Sequence, residues 1–253
     1  ILTGASIEVD GDLIASPAAG QKWELQAKDV RLVGEADATY PLQKKGHTPE
    51  FLRTIAHLRP RTNLFSNVFR VRSRMSFAIH RFFQEKGFFN VHTPVITSSD
   101  CEGAGELFRV TTLKQGSNAK PEEDFFGRPT YLTVSGQLQG ETFACALGNI
   151  YTFGPTFRAE NSNTARHAAE FWMIEPEMAF YDLAADMTLA EANVRYLVKA
   201  MLEECPQELE FFNKFVDKDL TARLQHTLAK PFERISYTEA VDLLLKSGRS
   251  FEH

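Results

Sequence analysis

The stretch FRAENSNTARHAAEFWMIEPEMAF, residues 157–180, brings cations, carboxylates and aromatic rings together in one short segment. TFRAE and EFWMIEPE have the composition of two antiparallel strands, and NSNTARHAA between them is a polar loop. Side chains alternate between the two faces of a strand. One face is therefore predicted to carry Arg158, Glu160, Phe171, Met173 and Glu175. Trp172 and Ile174 point to the opposite face and are predicted to enter the core.

The predicted polar face suits a ligand that combines an anionic group, a flat base and an amine or amide. Arg158 can bind a phosphate or carboxylate through a forked pair of hydrogen bonds. Phe171 can stack on a base, and Arg166 and His167 in the loop can reach further phosphates. The competing interpretation is a set of ion pairs on a solvated sheet, each worth about 0–1 kcal/mol.

Composition limits the class of protein. The chain has 253 residues, a net charge of −5 and 43% hydrophobic residues, enough for one globular core with or without a small appended domain. No apolar run approaches the ~18 residues of a membrane-spanning helix, so no membrane partner is predicted. Three scattered cysteines without metal-ligand spacing favour a cytoplasmic location. Mild acidity argues against a protein that coats nucleic acid through charge alone.

The order of the predicted elements favours an α+β fold, because strands with hairpin connections precede a run of helices. Short strands are predicted in 1–34, where Trp23 lies on the apolar face of a half-buried strand, and 35–62 has the Pro and Gly content of a linker. FFNVHTPVIT is predicted to be a strand that Pro94 either confines to the edge of a sheet or interrupts with a bulge. Helices are predicted at about 65–86, 183–204, 207–228 and 238–247, the last with Thr238 as N-cap.

FGPTFRAENSNTARHAAEFWMIEPE resembles motif 2 of the class II aminoacyl-tRNA synthetases, most closely the bacterial-type asparaginyl enzymes. The helix 65–86 with GFFNVHTPVIT resembles motif 1, in which Pro94 belongs to a homodimer interface. SDCEGAGELFRVTT and LTVSGQL resemble segments of the amino-acid pocket. The resemblance implies an antiparallel-sheet catalytic domain over 63–253, a hinge at 35–62 and part of an OB-fold anticodon-binding barrel at 1–34.

No segment resembles motif 3, which in this family follows the matched region and carries metal-binding acids. The chain also begins without a start Met and reads as the middle of a β domain. We therefore expect a fragment that is truncated at both ends. The ligands of the Mg²⁺ that accompanies ATP are expected in the part that is absent, and no metal ligand is predicted in this sequence.

The resemblance implies adenylate formation from an amino acid and ATP, followed by transfer to tRNA. Arg158 matches the motif 2 arginine that bridges the substrate carboxylate and the α-phosphate, and it is the predicted catalytic residue. Glu160 matches the acceptor of the adenine amino group and Phe171 the ring stacked on adenine. Arg166 and His167 lie where the loop binds the γ-phosphate.

Asparagine is the predicted amino acid, with tRNA(Asn) as the acceptor. The resemblance implies binding of asparagine by Glu102, Ser135, Gln137, Arg158 and Glu175. Aspartate-specific relatives keep a lysine three residues after the glutamine that matches Gln137, and this chain has Gly140 there. The Glu175 carboxylate can accept from a side-chain amide and would repel a second carboxylate.

Other functions remain open at this stage. An aspartyl-tRNA synthetase shares the motifs, and a synthetase-like asparagine synthetase shares the adenylate chemistry without tRNA. The strands in 1–34 argue against the second, because such relatives lack an anticodon domain. A fragment without motif 3 could also retain only dimerisation or RNA binding.

Overall fold

The computed structural model describes residues 1–101, 106–114, 116, 118–162, 164 and 167–249. The chain divides into two compact units, Ile1–Arg70 and Val71–His253. Strands precede most of the helices along the chain, and all but one of the strand pairs in the described residues are antiparallel. This arrangement confirms the α+β class. No helix in the described part of the chain is long and apolar enough to span a bilayer.

The first unit contains one long antiparallel ladder, formed by β1 (Ser6–Ala15) and β2 (Trp23–Gly34). The register shifts at Gly11, where a Cβ would lie 2.2 Å from the carbonyl oxygen of Gln26, so only glycine fits. The prediction of a half-buried strand is wrong: Trp23 is 60% exposed, and every residue of β2 before its last is exposed. Alternation predicts pairing, but burial also requires a second layer that packs on the ladder.

The predicted linker 35–62 contains a short helix, α1 (Pro49–Thr54). The hydroxyl of Thr48 accepts from the backbone N–H of Phe51 at 3.2 Å, which satisfies a donor of the first turn. Leu52 is buried on one side of α1. Local capping therefore orders a segment that shows no hydrophobic periodicity.

The helix predicted over 65–86 is confirmed as α2 (Asn63–Glu85). Its buried residues include Ile79, Phe82 and Phe83, which are spaced so that they lie on one face of the helix. The chain leaves the helix through Gly87, whose φ of +79° favours glycine.

The described residues of the second unit include two small three-stranded sheets. β3 (Phe89–Asn90) pairs in parallel with β7 (Asn149–Phe157), and β7 pairs antiparallel with β8 (Glu170–Met178). The other sheet has the order β4 (Ile96–Thr97), β6 (Thr130–Leu132) and β5 (Arg109–Val110). The prediction of a single strand over FFNVHTPVIT is wrong, because β3 and β4 belong to different sheets and Pro94 lies between them. Each of the two short strands lies at the edge of its sheet.

The main core of the second unit lies between the β7–β8 ladder and the helices α2 and α4 (Leu183–Glu204). Tyr151 is fully buried there and stacks on Phe83 at 4.6 Å between ring centroids. The prediction that Trp172 and Ile174 enter the core is wrong, because they are 47% and 36% exposed. The helices cover the end of the ladder at Tyr151, whereas Trp172 lies nearer the other end, where it packs against Phe153 and lines a cavity.

The described residues of the second unit also form the helices α3 (Gln137–Leu147), α5 (Pro206–Phe215), α6 (Leu220–Ala229) and α7 (Tyr237–Lys246). The single helix predicted over 207–228 is wrong. Asp217 accepts from the backbone N–H of Asp219 and pairs with Arg223, and this side-chain capping separates α5 from α6.

The predicted N-cap of the last helix is also wrong. Ser236, not Thr238, caps α7, because its hydroxyl accepts from the N–H of Glu239 while the Glu239 carboxylate accepts from the Ser236 N–H. Gly248 follows the helix with φ +65°, a left-handed conformation that favours glycine after a helix C-terminus.

Candidate active site

The β7–β8 hairpin brings the predicted functional side chains to one surface. Thr152 lies opposite Glu175 and Thr156 opposite Phe171 in the antiparallel register. Since partners that lie opposite each other share a face, Phe171 and Glu175 lie on the same side of the sheet, as the alternation predicted.

Arg158 is the first residue after β7. Its backbone N–H donates to the carbonyl of Ala169 at 3.1 Å, which closes the hairpin, and its guanidinium carbon lies 5.5 Å from the ring centroid of Phe171. A guanidinium and an aromatic ring therefore lie side by side, as predicted. Glu160 lies beyond the end of the ladder at Phe157, and its side chain is exposed.

The loop between the strands is only partly described. The Nδ1 atom of His167 lies 3.1 Å from the Ser162 hydroxyl, which places this exposed imidazole at the loop tip. Arg166 and Glu102 lie outside the described residues. The N–H of Ala159 donates to the carbonyl of Glu106 at 2.7 Å, so Glu106 contacts the hairpin where its loop begins.

The Glu175 carboxylate is held by protein donors on both oxygens. Oε1 accepts from the Ser135 hydroxyl, and Oε2 accepts from the Thr152 hydroxyl at 2.8 Å. The backbone N–H of Gly136 lies 3.2 Å from each oxygen. Such charge-assisted hydrogen bonds fix the plane of the carboxylate. Ser135 was predicted to contact the amino acid, and the structure places its buried hydroxyl on Glu175.

The residues before α3 form a compact turn that presents these donors. The Thr133 hydroxyl donates to the carbonyl of Ser135 at 2.6 Å, and the Ser135 hydroxyl accepts from the N–H of Gln137 at 3.0 Å. Gly136 has ordinary helical dihedrals, so its lack of a side chain is a requirement for space. Gln137, at the exposed start of α3, donates through Nε2 to the Glu141 carboxylate at 2.9 Å.

A second carboxylate on the same face of β8 was not assigned a function from the sequence. Burial raises the pKa of Glu177, and the nearby carboxylates of Glu141, Glu175 and Asp186 raise it further. Glu177 also packs beside Gly140, whose added Cβ would lie 3.5 Å from its Cγ. The two-residue spacing from Glu175 is the sequence signal that places Glu177 here. The functional face is thus cationic at the Arg158 end and acidic at the opposite end.

A cavity of about 360 Å³ adjoins Glu175 at the edge of β7. Its walls include His80, Thr93, Thr152, Phe153, Trp172 and Glu175. Trp172 packs edge-on against Phe153 at 5.1 Å between ring centroids, which explains how this large side chain is accommodated outside the main core.

No resident metal is expected from these side chains. Within the described ranges, no group of three or more His, Cys, Asp and Glu residues could hold a metal ion. The acidic end of the face therefore does not fit a Mg²⁺ site by itself.

Comparison with known proteins places this geometry in a family. Residues 49–250 match the family described as tRNA synthetases class II (D, K and N). The chain is 59% identical to asparagine–tRNA ligase of Oleidesulfovibrio alaskensis over 99% of this chain and 56% of that protein. It is 60% identical to asparagine–tRNA ligase of Clostridium botulinum over 98% of this chain and 55% of that protein.

A solved structure agrees with these relatives. Asparaginyl-tRNA synthetase from Pyrococcus horikoshii, complexed with asparaginyl-adenylate, superimposes with a TM-score of 0.82 at 32% identity, covering 98% of this chain and 53% of that chain. The chain thus spans about half the length of the proteins it matches. The family match covers most of the chain, including the hairpin that carries Arg158, Phe171 and Glu175, and the chain belongs to the class II tRNA synthetases of the D, K and N group.

Proposed function

We propose that the protein carrying this chain is an asparagine–tRNA ligase, which activates L-asparagine with ATP and transfers it to tRNA(Asn). The observation that carries the proposal is the single face of the β7–β8 hairpin. It has Arg158 and Phe171 at one end and the anchored Glu175 carboxylate at the other. Phe171 and Glu175 are four residues apart, about 13 Å along a strand, which suits an aminoacyl-adenylate lying across the sheet. Relatives about 59% identical that are named asparagine–tRNA ligases support this substrate.

In the first step an oxygen of the asparagine carboxylate attacks the α-phosphorus of ATP, and pyrophosphate leaves. Arg158 contacts both reacting groups and offsets the charge that develops between them. Phe171 stacks on the adenine, and Glu160 accepts from its amino group. Arg166 and His167 bind the γ-phosphate. Positioning of this kind supplies most of the rate enhancement, because the step needs no protein nucleophile.

In the second step a hydroxyl of the terminal ribose of the tRNA attacks the carbonyl carbon of the adenylate, and AMP leaves. Mg²⁺ bound with ATP would neutralise phosphate charge, and we assign none of the described residues as its ligand. The residues of this chain position the adenine, the α-phosphate and the amino acid relative to one another.

The acidic end of the β7–β8 face selects asparagine over aspartate. Glu175 accepts from the side-chain amide of asparagine and repels the carboxylate of aspartate. Gly140 supplies no cation to neutralise that repulsion. Glu102, Ser135 and Gln137 surround the amino acid, and the structure favours an indirect role for Ser135 through its hydrogen bond to Glu175.

The remaining proposals concern the rest of the protein. We assign 1–34 to an OB-fold anticodon-binding domain, 35–62 to a hinge and 63–253 to the catalytic domain. The exposed rings of Phe77 on α2 and of Phe89, five residues before Pro94, support a homodimer interface at motif 1. The three cysteines are free, and we propose a cytoplasmic location.

ATP–pyrophosphate exchange on the full-length protein, with asparagine and aspartate side by side, tests the function. The wild type should exchange with asparagine. Glu175→Gln should lower the asparagine-to-aspartate ratio about 10-fold or more, chiefly by improving aspartate, because the repulsion is lost while a carbonyl remains. Glu170→Gln, on the opposite face of the same strand, is the matched control.

Other outcomes identify the other functions. Exchange with aspartate but not with asparagine would indicate an aspartyl enzyme. If exchange with aspartate occurs without any charging of tRNA, it would instead indicate an asparagine synthetase, which activates aspartate and releases asparagine as its product. An absence of exchange with either amino acid would contradict the proposed ligase.

A further inference from the structure

We propose that Thr152, together with the open space at Gly136, is a positioning element that aims the Glu175 carboxylate and thereby sets the discrimination of asparagine from aspartate. This inference rests on the proposed function and assigns a role to two residues that carry none in it. Neither residue has a charged side chain, and the sequence pattern alone does not connect them with Glu175.

Thr152 acts through Glu175 and not on the substrate. Its side chain is almost completely buried, with 4% of the residue exposed, and its hydroxyl donates to Oε2 of Glu175 at 2.8 Å. The two residues are directly opposite each other in the β7–β8 register. A threonine side chain is β-branched and stiff about χ1, so the direction of its hydroxyl is set by the strand. Ser135, 2% exposed, holds the other oxygen in the same way.

The donors leave Glu175 with a limited capacity for further bonds. Its two oxygens offer about four lone-pair sites. The Ser135 hydroxyl, the Thr152 hydroxyl and the Gly136 N–H occupy most of them. A substrate amide can supply one more donor, whereas a substrate carboxylate supplies only acceptors. Because both hydroxyls are committed to Glu175, they cannot turn to donate to an aspartate side chain instead.

Gly136 provides the space in which this arrangement fits. A Cβ on Gly136 would lie 2.8 Å from the Thr93 hydroxyl, 3.0 Å from the Thr152 hydroxyl and 3.2 Å from Oε2 of Glu175. The φ and ψ of Gly136, −84° and −6°, are accessible to alanine. An added methyl group would therefore displace the side chains around Glu175 without straining the backbone.

The experiment uses the full-length protein and measures ATP–pyrophosphate exchange for asparagine and aspartate, with urea unfolding of each variant. Thr152→Val keeps the shape and removes the donor. It should lower kcat/KM for asparagine about 10- to 100-fold, and it should lower the asparagine-to-aspartate ratio. Thr152→Ser, which keeps the hydroxyl, should restore most of both values. Thr130→Val, which removes another buried threonine hydroxyl bonded to the carbonyl of Val110 at 3.1 Å, is the matched control and should leave the ratio unchanged.

Gly136→Ala gives an independent test if Thr152→Val does not fold. This variant retains every hydrogen-bonding group. It should still lower the asparagine-to-aspartate ratio, because the added methyl group displaces Glu175. An unchanged ratio in a folded Thr152→Val, or in Gly136→Ala when the first variant is unfolded, overturns the positioning role while the proposed ligase stands. A wild type that does not exchange with asparagine overturns the proposed function, and the positioning role with it.

Discussion

The strand pairs β1–β2 and β7–β8 are antiparallel ladders of similar length, and in the described residues the second packs against helices of its own unit whereas the first is largely exposed. Trp23 on β2 is 60% exposed, whereas Tyr151 on β7 is fully buried between the sheet and α2. Both strands contain aromatic and β-branched residues that favour strand formation. The comparison teaches that pairing is encoded within a strand, while burial depends on a layer contributed by another part of the chain.

The two ladders also differ in what their polar groups can do. Lys28 and Asp12 form an ion pair of 2.7 Å across β1–β2, and both side chains are more than half exposed to solvent. The hydroxyl of Thr152 makes a contact of nearly the same length, 2.8 Å, with Glu175 across β7–β8. The second contact is largely shielded from water, and removing one partner there leaves a polar group that cannot be rehydrated without cost.

The largest expected effect is a difference in the free energy of unfolding between a variant beside β7 and a variant in β2. Phe83→Ala should lower the free energy of unfolding by about 3–5 kcal/mol, because it opens a cavity beside Tyr151. Trp23→Ala in the 253-residue chain should change it by less than about 0.5 kcal/mol, because the ring is 60% exposed there. Urea unfolding of both variants measures the difference. A loss above about 2 kcal/mol for Trp23→Ala would contradict the comparison, since only a buried ring has such an effect.

An intermediate effect concerns one hydroxyl. The Tyr151 hydroxyl lies 2.8 Å from Nδ1 of His80 inside the core. Tyr151→Phe should lower the free energy of unfolding by about 0.5–1.5 kcal/mol, the usual net value of such a bond. Lys28→Met, which removes the exposed contact of similar length, should give no measurable change. Equal losses in the two variants would show that burial does not distinguish the ladders.

The smallest expected effect is a pH dependence at Glu177. Burial, and then the neighbouring carboxylates, raise its pKa above the ordinary value of 4.5, so the folded protein holds the proton more tightly than the unfolded chain. Wild-type stability should therefore fall as pH rises from the ordinary value through the folded pKa. The Glu177→Gln variant has no carboxyl group at this position that can titrate. Its free energy of unfolding, relative to that of wild type, should therefore increase between the ordinary and the folded pKa and then level off.

Urea unfolding of the Glu177 pair from pH 4 to pH 8, repeated at high salt, checks this prediction. Salt weakens the repulsion from Glu141, Glu175 and Asp186 but not the cost of burial. Most of the pH-dependent difference should therefore survive at high salt. A difference that does not vary with pH would contradict the raised pKa.

Several parts of the fold and site could be predicted from local sequence. The hairpin, its polar face and the proximity of Arg158 to Phe171 follow from two-residue alternation around one loop. The helix α2 follows from apolar spacing and a terminal glycine. The break between α5 and α6 and the Ser236 cap were missed, because short polar side chains compete for backbone donors in ways that periodicity does not report.

The sequence by itself determined the family, the α+β order and the residues that point to one face of β7–β8. Only the tertiary structure decided that Trp172 and Ile174 stay outside the core and that Ser135 and Thr152 hold Glu175. Ser135 and Glu175 are 40 residues apart, and Thr152 and Glu175 are 23 apart. Alternation is a property of neighbouring residues and requires only the local backbone. Contacts between distant segments depend on strand register and on the packing of helices against the sheet, which no short stretch of sequence contains.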